Sequence, residues 1–97
     1  MFARLTIVQA QADKIDETTS IFRDSIVPAA KAQKGYRGSY LLTDRTTGKG
    51  TSVTLWDSLE DLRASETSGY YQEQLAKLAP FFTSAPVTEV YEVASHD

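Results

Sequence analysis

Any chemistry in this chain has to come from aromatic rings, arginines and hydroxyls, because the common nucleophiles and metal ligands are missing. There is no cysteine and no asparagine, and the single histidine, His96, stands beside the C-terminus. A thiolate nucleophile, a Cys-ligated zinc or iron–sulfur site and a disulfide framework are excluded. One remote histidine leaves no material for a triad or a His-rich metal cluster within one chain, so no metal or other cofactor is expected. What remains is one tryptophan, Trp56, five tyrosines and a small set of cations. Trp56 offers an indole N–H donor to a catalytic pocket, or serves simply as core, the commoner use of a large aromatic. Arg37, between Tyr36 and Gly38, and Arg4, on the first strand, are the cations best placed in sequence to stabilise a developing anion; surface ion pairs are their plainer use. Tyr40, Tyr70 and Tyr71, with the ring of Phe22, suit a rim that stacks on and hydrogen-bonds to a flat phenolic or quinone ligand. For Tyr40, a half-buried place at a subunit seam serves equally well.

Three other apparent motifs reduce to local structure. Thr47-Gly48-Lys49-Gly50-Thr51 contains the Gly-Lys of a phosphate loop but lacks the earlier glycine and the strand-to-helix context, and reads as a hairpin turn. Gly38-Ser39-Tyr40-Leu41-Leu42 lacks the basic and aromatic pattern of an RNA-binding strand, and the net charge of −3 disfavours contact with phosphates. Asp57, Glu60 and Asp61 are explained as helix-start carboxylates. Nucleic acid is therefore not an expected partner. The longest uncharged stretch, Leu78 to Thr88, is well short of the roughly 20 apolar residues of a membrane span. The N-terminus lacks the pattern of a signal peptide, so a soluble, cytoplasmic protein is expected, with no membrane partner.

The elements that must position these residues follow from periodicity. Phe2 to Ala10 alternates as a strand with one oily face (Leu5, Ile7) and one mixed face. From Asp13 the spacing of Ile15, Phe22, Ile26 and Ala29 or Ala30 becomes helical. Pro28 lies inside that pattern and predicts a kink or restart; Gly35 predicts the stop. Tyr36 to Asp44 and Thr51 to Asp57 read as a hairpin joined through Gly48 and Gly50. Ser58 predicts an N-cap for a helix carrying Leu59 and Leu62. Thr67-Ser68-Gly69 interrupts this helix, Ser68 caps a continuation from Tyr70 to Ala79, and Tyr71, Leu75 and Leu78 share its stripe. Pro80 ends the continuation, and Val87 to Ala94 reads as a last strand.

At 97 residues the chain is expected to form one domain over residues 1–97. The order strand, helix, strand, strand, helix, strand predicts an α+β, ferredoxin-like βαββαβ fold with a four-stranded antiparallel sheet and helices on one face. Leu55 and Trp56 point to opposite faces, as do Leu41 and Leu42, so the uncovered face carries large apolar groups whichever parity it takes. A second copy covering it predicts a symmetric homodimer packed sheet to sheet. Charge is also uneven: residues 1–50 sum to +3 and residues 51–97 to −6, which reads as solvated surface or as a basis for head-to-tail contact.

Taken in order, Phe22-Arg23-Asp24-Ser25-Ile26-Val27-Pro28, Gly35-Tyr36-Arg37-Gly38, Gly48-Lys49-Gly50, Val53-Thr54-Leu55-Trp56-Asp57-Ser58 and Val90-Tyr91-Glu92-Val93 resemble the antibiotic biosynthesis monooxygenase-like branch of the dimeric α+β barrels. The resemblance covers nearly the whole chain. It implies a dimer and a pocket between helices and sheet. It also implies cofactor-independent oxidation of an aromatic or polyketide-like molecule, with removal of a phenolic proton and stabilisation of the anion. Of the family's site residues, Trp56 matches the tryptophan by position; Arg37 is kept beside it as a catalytic candidate on its own residue type. The family's site asparagine has no counterpart here. The haem-degrading members' helical histidine has none either, because Glu66-Thr67-Ser68-Gly69-Tyr70-Tyr71 contains no histidine. These departures favour the alternative, a non-catalytic dimeric module that binds a small hydrophobic molecule or serves in stress response.

Overall fold

The computed structural model describes residues 1–97. Strands β1 (Phe2–Gln9), β2 (Tyr36–Thr43), β3 (Lys49–Trp56) and β4 (Val87–Glu92) form one antiparallel sheet in the order β2-β3-β1-β4. Helices α1 (Ile15–Ile21), α2 (Val27–Lys31), α3 (Leu59–Thr67) and α4 (Tyr70–Leu78) complete the predicted βαββαβ order. The expected element boundaries agree to within two residues, apart from the shorter helix pieces described below.

Pairing fixes which side chains share a face. In β1, Phe2, Arg4 and Thr6 lie opposite Trp56, Thr54 and Ser52 of β3, and Arg4 and Thr6 lie opposite Val90 and Thr88 of β4. Arg4, Thr6 and Trp56 are buried, so this mixed face is the one the helices cover. The alternate face carries Leu5, Ile7, Val53 and Leu55 with Tyr40, Leu42, Val87 and Tyr91, and the last four are 53–58% exposed. The usual half-covered antiparallel sheet buries its apolar face and wets its polar one. Here the polar residues lie under the helices and the apolar residues face outward.

The first helical region is built in pieces around Pro28. Between α1 and α2 the residues Phe22–Ile26 form a π-turn, and the Val27 N–H reaches back to the Phe22 carbonyl. A proline ring clashes with the carbonyl four residues earlier and lacks the N–H that would bond it. Widening the turn just before Pro28 relieves both problems, and Pro28 then occupies the first turn of α2. At Ser58 the predicted cap is present: its Oγ accepts the Asp61 N–H at 3.1 Å. The second cap differs from expectation. Gly69, at φ +87°, takes the N-cap place of α4, and Ser68 Oγ accepts only a long bond, 3.4 Å, from the Tyr70 N–H. A left-handed residue turns the chain more sharply than a serine cap would, and only glycine adopts it freely.

Gly48 shows what a glycine does in close quarters. Its φ is +81°, and a Cβ there would run into the Ala10 carbonyl oxygen and the Ala12 N–H. Gly69 has a similar φ but open space around it. Gly69→Ala is therefore expected to cost about 1 kcal/mol, the left-handed penalty alone, and Gly48→Ala at least about 2 kcal/mol. Urea unfolding midpoints at unchanged slope check this; equal losses at the two positions would contradict the tight docking of the hairpin turn against the end of β1.

Candidate functional site

Between the covered face and the helices lies a cavity of about 60 Å³, partly open to solvent. On this measure a single water needs roughly 10–15 Å³ and a benzene-sized dry cavity is about 150 Å³. The closed part therefore takes the head of a ligand, and the rest of a polycyclic molecule would lie at the mouth. Phe22, Ile26, Leu41, Leu75, Leu78 and Phe82 supply its apolar wall, and Thr6, Ser52, Thr54, Tyr70, Tyr71 and Gln74 its polar groups. The π-turn places Phe22 and Ile26 on this wall together. Arg4 is the one charged residue in the lining.

Arg4 is 2% exposed, and four elements hold it. Its own strand β1 is central in the sheet. From α3, Ser65 Oγ accepts an Nη1 hydrogen bond at 2.8 Å and Glu66 Oε2 a longer one at 3.4 Å. From α4, the Tyr71 ring lies 3.8 Å from the guanidinium carbon, a close cation–π stack. From β3, the Trp56 ring centre is 5.5 Å away. Burial pulls the Arg4 pKa below its ordinary value, opposed by Tyr71 and Glu66; an arginine keeps its proton regardless. Tyr71 is itself fixed, sharing hydrogen bonds with Thr6 of β1 at 2.7 Å and Thr88 of β4 at 2.8 Å.

The structure brings Tyr70, Tyr71 and Phe22 to the cavity, as the sequence suggested, and leaves the other three candidates elsewhere. Trp56 is wholly buried behind Arg4, packs edge-on against Tyr36 at 5.9 Å, and donates its indole N–H to Thr54 Oγ1 at 3.1 Å. It does not line the cavity. Arg37 is exposed and pairs with Asp57 at 3.1 Å. The bulge between Tyr36 and Gly38 shifts the β2 register, so Tyr40 falls on the outward face with Val53. Sequence reasoning missed Thr6, Ser65 and Gln74. Gln74 stands on the same helical stripe as Tyr71 and Leu78, which is the signal that could have found it.

Burial pushes the Tyr70 hydroxyl up to about 12, with Arg4 pulling the other way and Tyr36 adding to the rise. Because the folded value lies above the unfolded one, near 10, the contribution is complete below pH 10 and is lost as pH rises toward 12. Absorbance titration near 295 nm should show a late component that shrinks by one tyrosine in Tyr70→Phe, Tyr91 remaining raised by Glu89, and that variant should lose less stability between pH 10 and 12 than the wild type. Identical alkaline limbs would contradict the burial of Tyr70.

A match to the family described as antibiotic biosynthesis monooxygenase extends over residues 1–77. Among proteins similar in sequence is the uncharacterized protein Rv2557 of Mycobacterium tuberculosis, 31% identical over 98% of this chain. The chain spans 42% of that relative's length. Among solved structures, Rv0793 of Mycobacterium tuberculosis superposes with a TM-score of 0.73 at 17% identity, covering 98% of this chain and 96% of its own. MhuD of the same organism, a heme-degrader with two hemes bound in its active site, gives a TM-score of 0.77 at 18% identity, covering 100% and 99%. At these identities the structures establish the fold. The residues here do not offer the histidine ligation of a haem: the cavity lining holds no His, Cys or Met, and His96 lies beyond β4. The sequence match, running from β1 almost to the end of α4 and taking in every side chain that holds Arg4, places the chain in the antibiotic biosynthesis monooxygenase family.

Proposed function

We propose that the protein binds a flat phenolic or enolisable aromatic molecule, of polyketide-like character, as its anion and promotes its oxidation by dioxygen without a cofactor. The single observation that carries this reading is a buried, permanently charged Arg4 set into an otherwise neutral cavity wall. A fixed cation in a site of low dielectric lowers the pKa of a bound phenol and stabilises its anion with no reorganisation. The carbanion form of such a molecule reduces dioxygen, and a carbon–oxygen bond forms at the activated carbon. Cleavage of the O–O bond leaves one oxygen as a carbonyl and releases the other as water with the substrate's protons. The substrate carbon supplies every electron that dioxygen takes up. Arg4 holds the anion, Tyr70 and Tyr71 lie beside it as neutral hydroxyls, and Phe22 and Leu75 shield it.

A second reading, a binding module without turnover, is favoured by one specific observation: no carboxylate or histidine lines the cavity to act as a base. Oxygen uptake with hydroxylated anthrones and naphthols separates the two. Wild type should turn over at least one of them, and Arg4→Met should lose 10- to 100-fold in kcat/KM. The same variant should keep its melting temperature within a few degrees, because Glu66 is partly exposed and keeps Arg63 at 2.9 Å when the Arg4 charge is removed. Saturable binding without oxygen uptake sustains the binding module alone, and absence of binding sinks both.

We further propose that the working unit is a homodimer packed through the outward face. Tyr40, Leu42, Val87 and Tyr91 each have about half of their surface to lose, worth on the order of 1 kcal/mol apiece. No helix is long and apolar enough to cross a membrane, and a cysteine-free chain suits a cytoplasmic location. Light scattering should give a dimer for wild type at micromolar concentration and a monomer for Leu42→Asp; a monomeric wild type would remove the proposal.

A further inference from the structure

The guanidinium of Arg4 has two unlike edges. Nη1 is occupied, donating to Ser65 and Glu66. Nε is buried with no hydrogen-bond partner, and Nη2 donates to no protein group. The Nε and Nη2 N–H bonds are parallel and coplanar, the geometry that grips two oxygens of one planar anion. Tyr71, stacked at 3.8 Å, holds that plane, and Ser65 and Glu66 prevent the side chain from turning its free edge away. A buried donor left without a partner is unfavourable, and native proteins rarely keep one. Arg4 is the only group in the protein whose buried side-chain polar atom is left so, and it borders the cavity.

We propose that the free edge of Arg4 is a recognition fork for a planar ligand head that spreads one negative charge over two coplanar oxygens, a carboxylate or a phenolate chelated with a neighbouring carbonyl. This rests on the reading of the cavity as a ligand site. It adds that a phenol with a single oxygen is a poor ligand, since it satisfies only one of the two donors. Apolar contacts from Phe22, Ile26 and Leu75 suit the ring that carries the head.

Three probes with the same naphthalene body test the fork by calorimetry: 2-naphthoate, 1-hydroxy-2-acetonaphthone and 1-naphthol. At least one of the two-oxygen probes should bind wild type tenfold or more tighter than 1-naphthol. Which one does so distinguishes an acid from a hydroxy ketone, and the bound hydroxy ketone should absorb as its anion. Arg4→Lys keeps the charge but loses the fork; it should bring the three affinities within about threefold of each other. If 1-naphthol binds wild type as tightly as the others, or if Arg4→Lys keeps the preference, the fork is wrong although the cavity remains a ligand site. If no probe binds wild type, the cavity reading fails and the fork with it. The wild-type comparison stands even if the lysine variant is poorly folded.

Discussion

The arrangement of this protein depends on one buried guanidinium. Taking Arg4 out of water costs several kcal/mol, and attraction to a partner repays that only with good geometry and full hydrogen bonding. The repayment here comes from separate elements: the Ser65 hydroxyl and Glu66 carboxylate of α3, the Tyr71 face from α4 and the Trp56 ring from β3. A charge-assisted hydrogen bond is worth about 1.5–3 kcal/mol and a desolvated cation–π contact about 2 kcal/mol. These contacts offset the cost of burial, yet one buried donor still lacks a partner. Packing leaves the Arg4 Nε unpaired, and the proposed ligand is what would supply its partner.

The same residue explains the inverted sheet. A face carrying Arg4, Thr6, Ser52 and Thr54 is unsuitable for close hydrophobic packing, and above it lies a cavity whose floor is polar and whose walls are largely apolar. The apolar residues then fall by alternation on the opposite face, where Leu5, Ile7, Val53 and Leu55 are partly sheltered only by their neighbours. A cavity on one side and an exposed apolar face on the other are thus consequences of one choice of parity.

That parity is what the sequence did not reveal. Element order, the hairpin, the Ser58 cap and the disruption at Pro28 were all legible, because each depends on residues close together in the chain. Leu5 and Ile7 look like the core face of β1, and Arg4 looks like a surface residue, since arginines seldom lie buried. The assignment reverses only when α3 and α4 are seen above the mixed face, a long-range fact with no local signal. Tyr70 and Tyr71 were readable because the helical stripe carries them inward; Trp56 shares the Arg4 face but is sealed beneath it. Tyr40 is turned away from the cavity by the bulge between Tyr36 and Gly38, and no residue pattern announces a one-residue shift in register; Arg37, the bulged residue, is exposed and paired with Asp57.

The break at Gly69 connects this geometry to the chemistry. An uninterrupted helix from Leu59 to Leu78 would run about 30 Å and bring only one of its turns over Arg4. With the turn at Gly69, Ser65 and Glu66 at the end of α3 and Tyr71 at the start of α4 meet the same guanidinium. What converges is a set of donors and one cation, with the nearby carboxylate of Glu66 already engaged by Arg4 and, at 2.9 Å, by Arg63. Such a site is poor at taking a proton and good at holding the anion once the proton has gone. On the proposed reading, chemistry there begins with a substrate acidic enough to lose its proton to water under the influence of Arg4, a requirement that selects phenols and enols over alcohols or hydrocarbons.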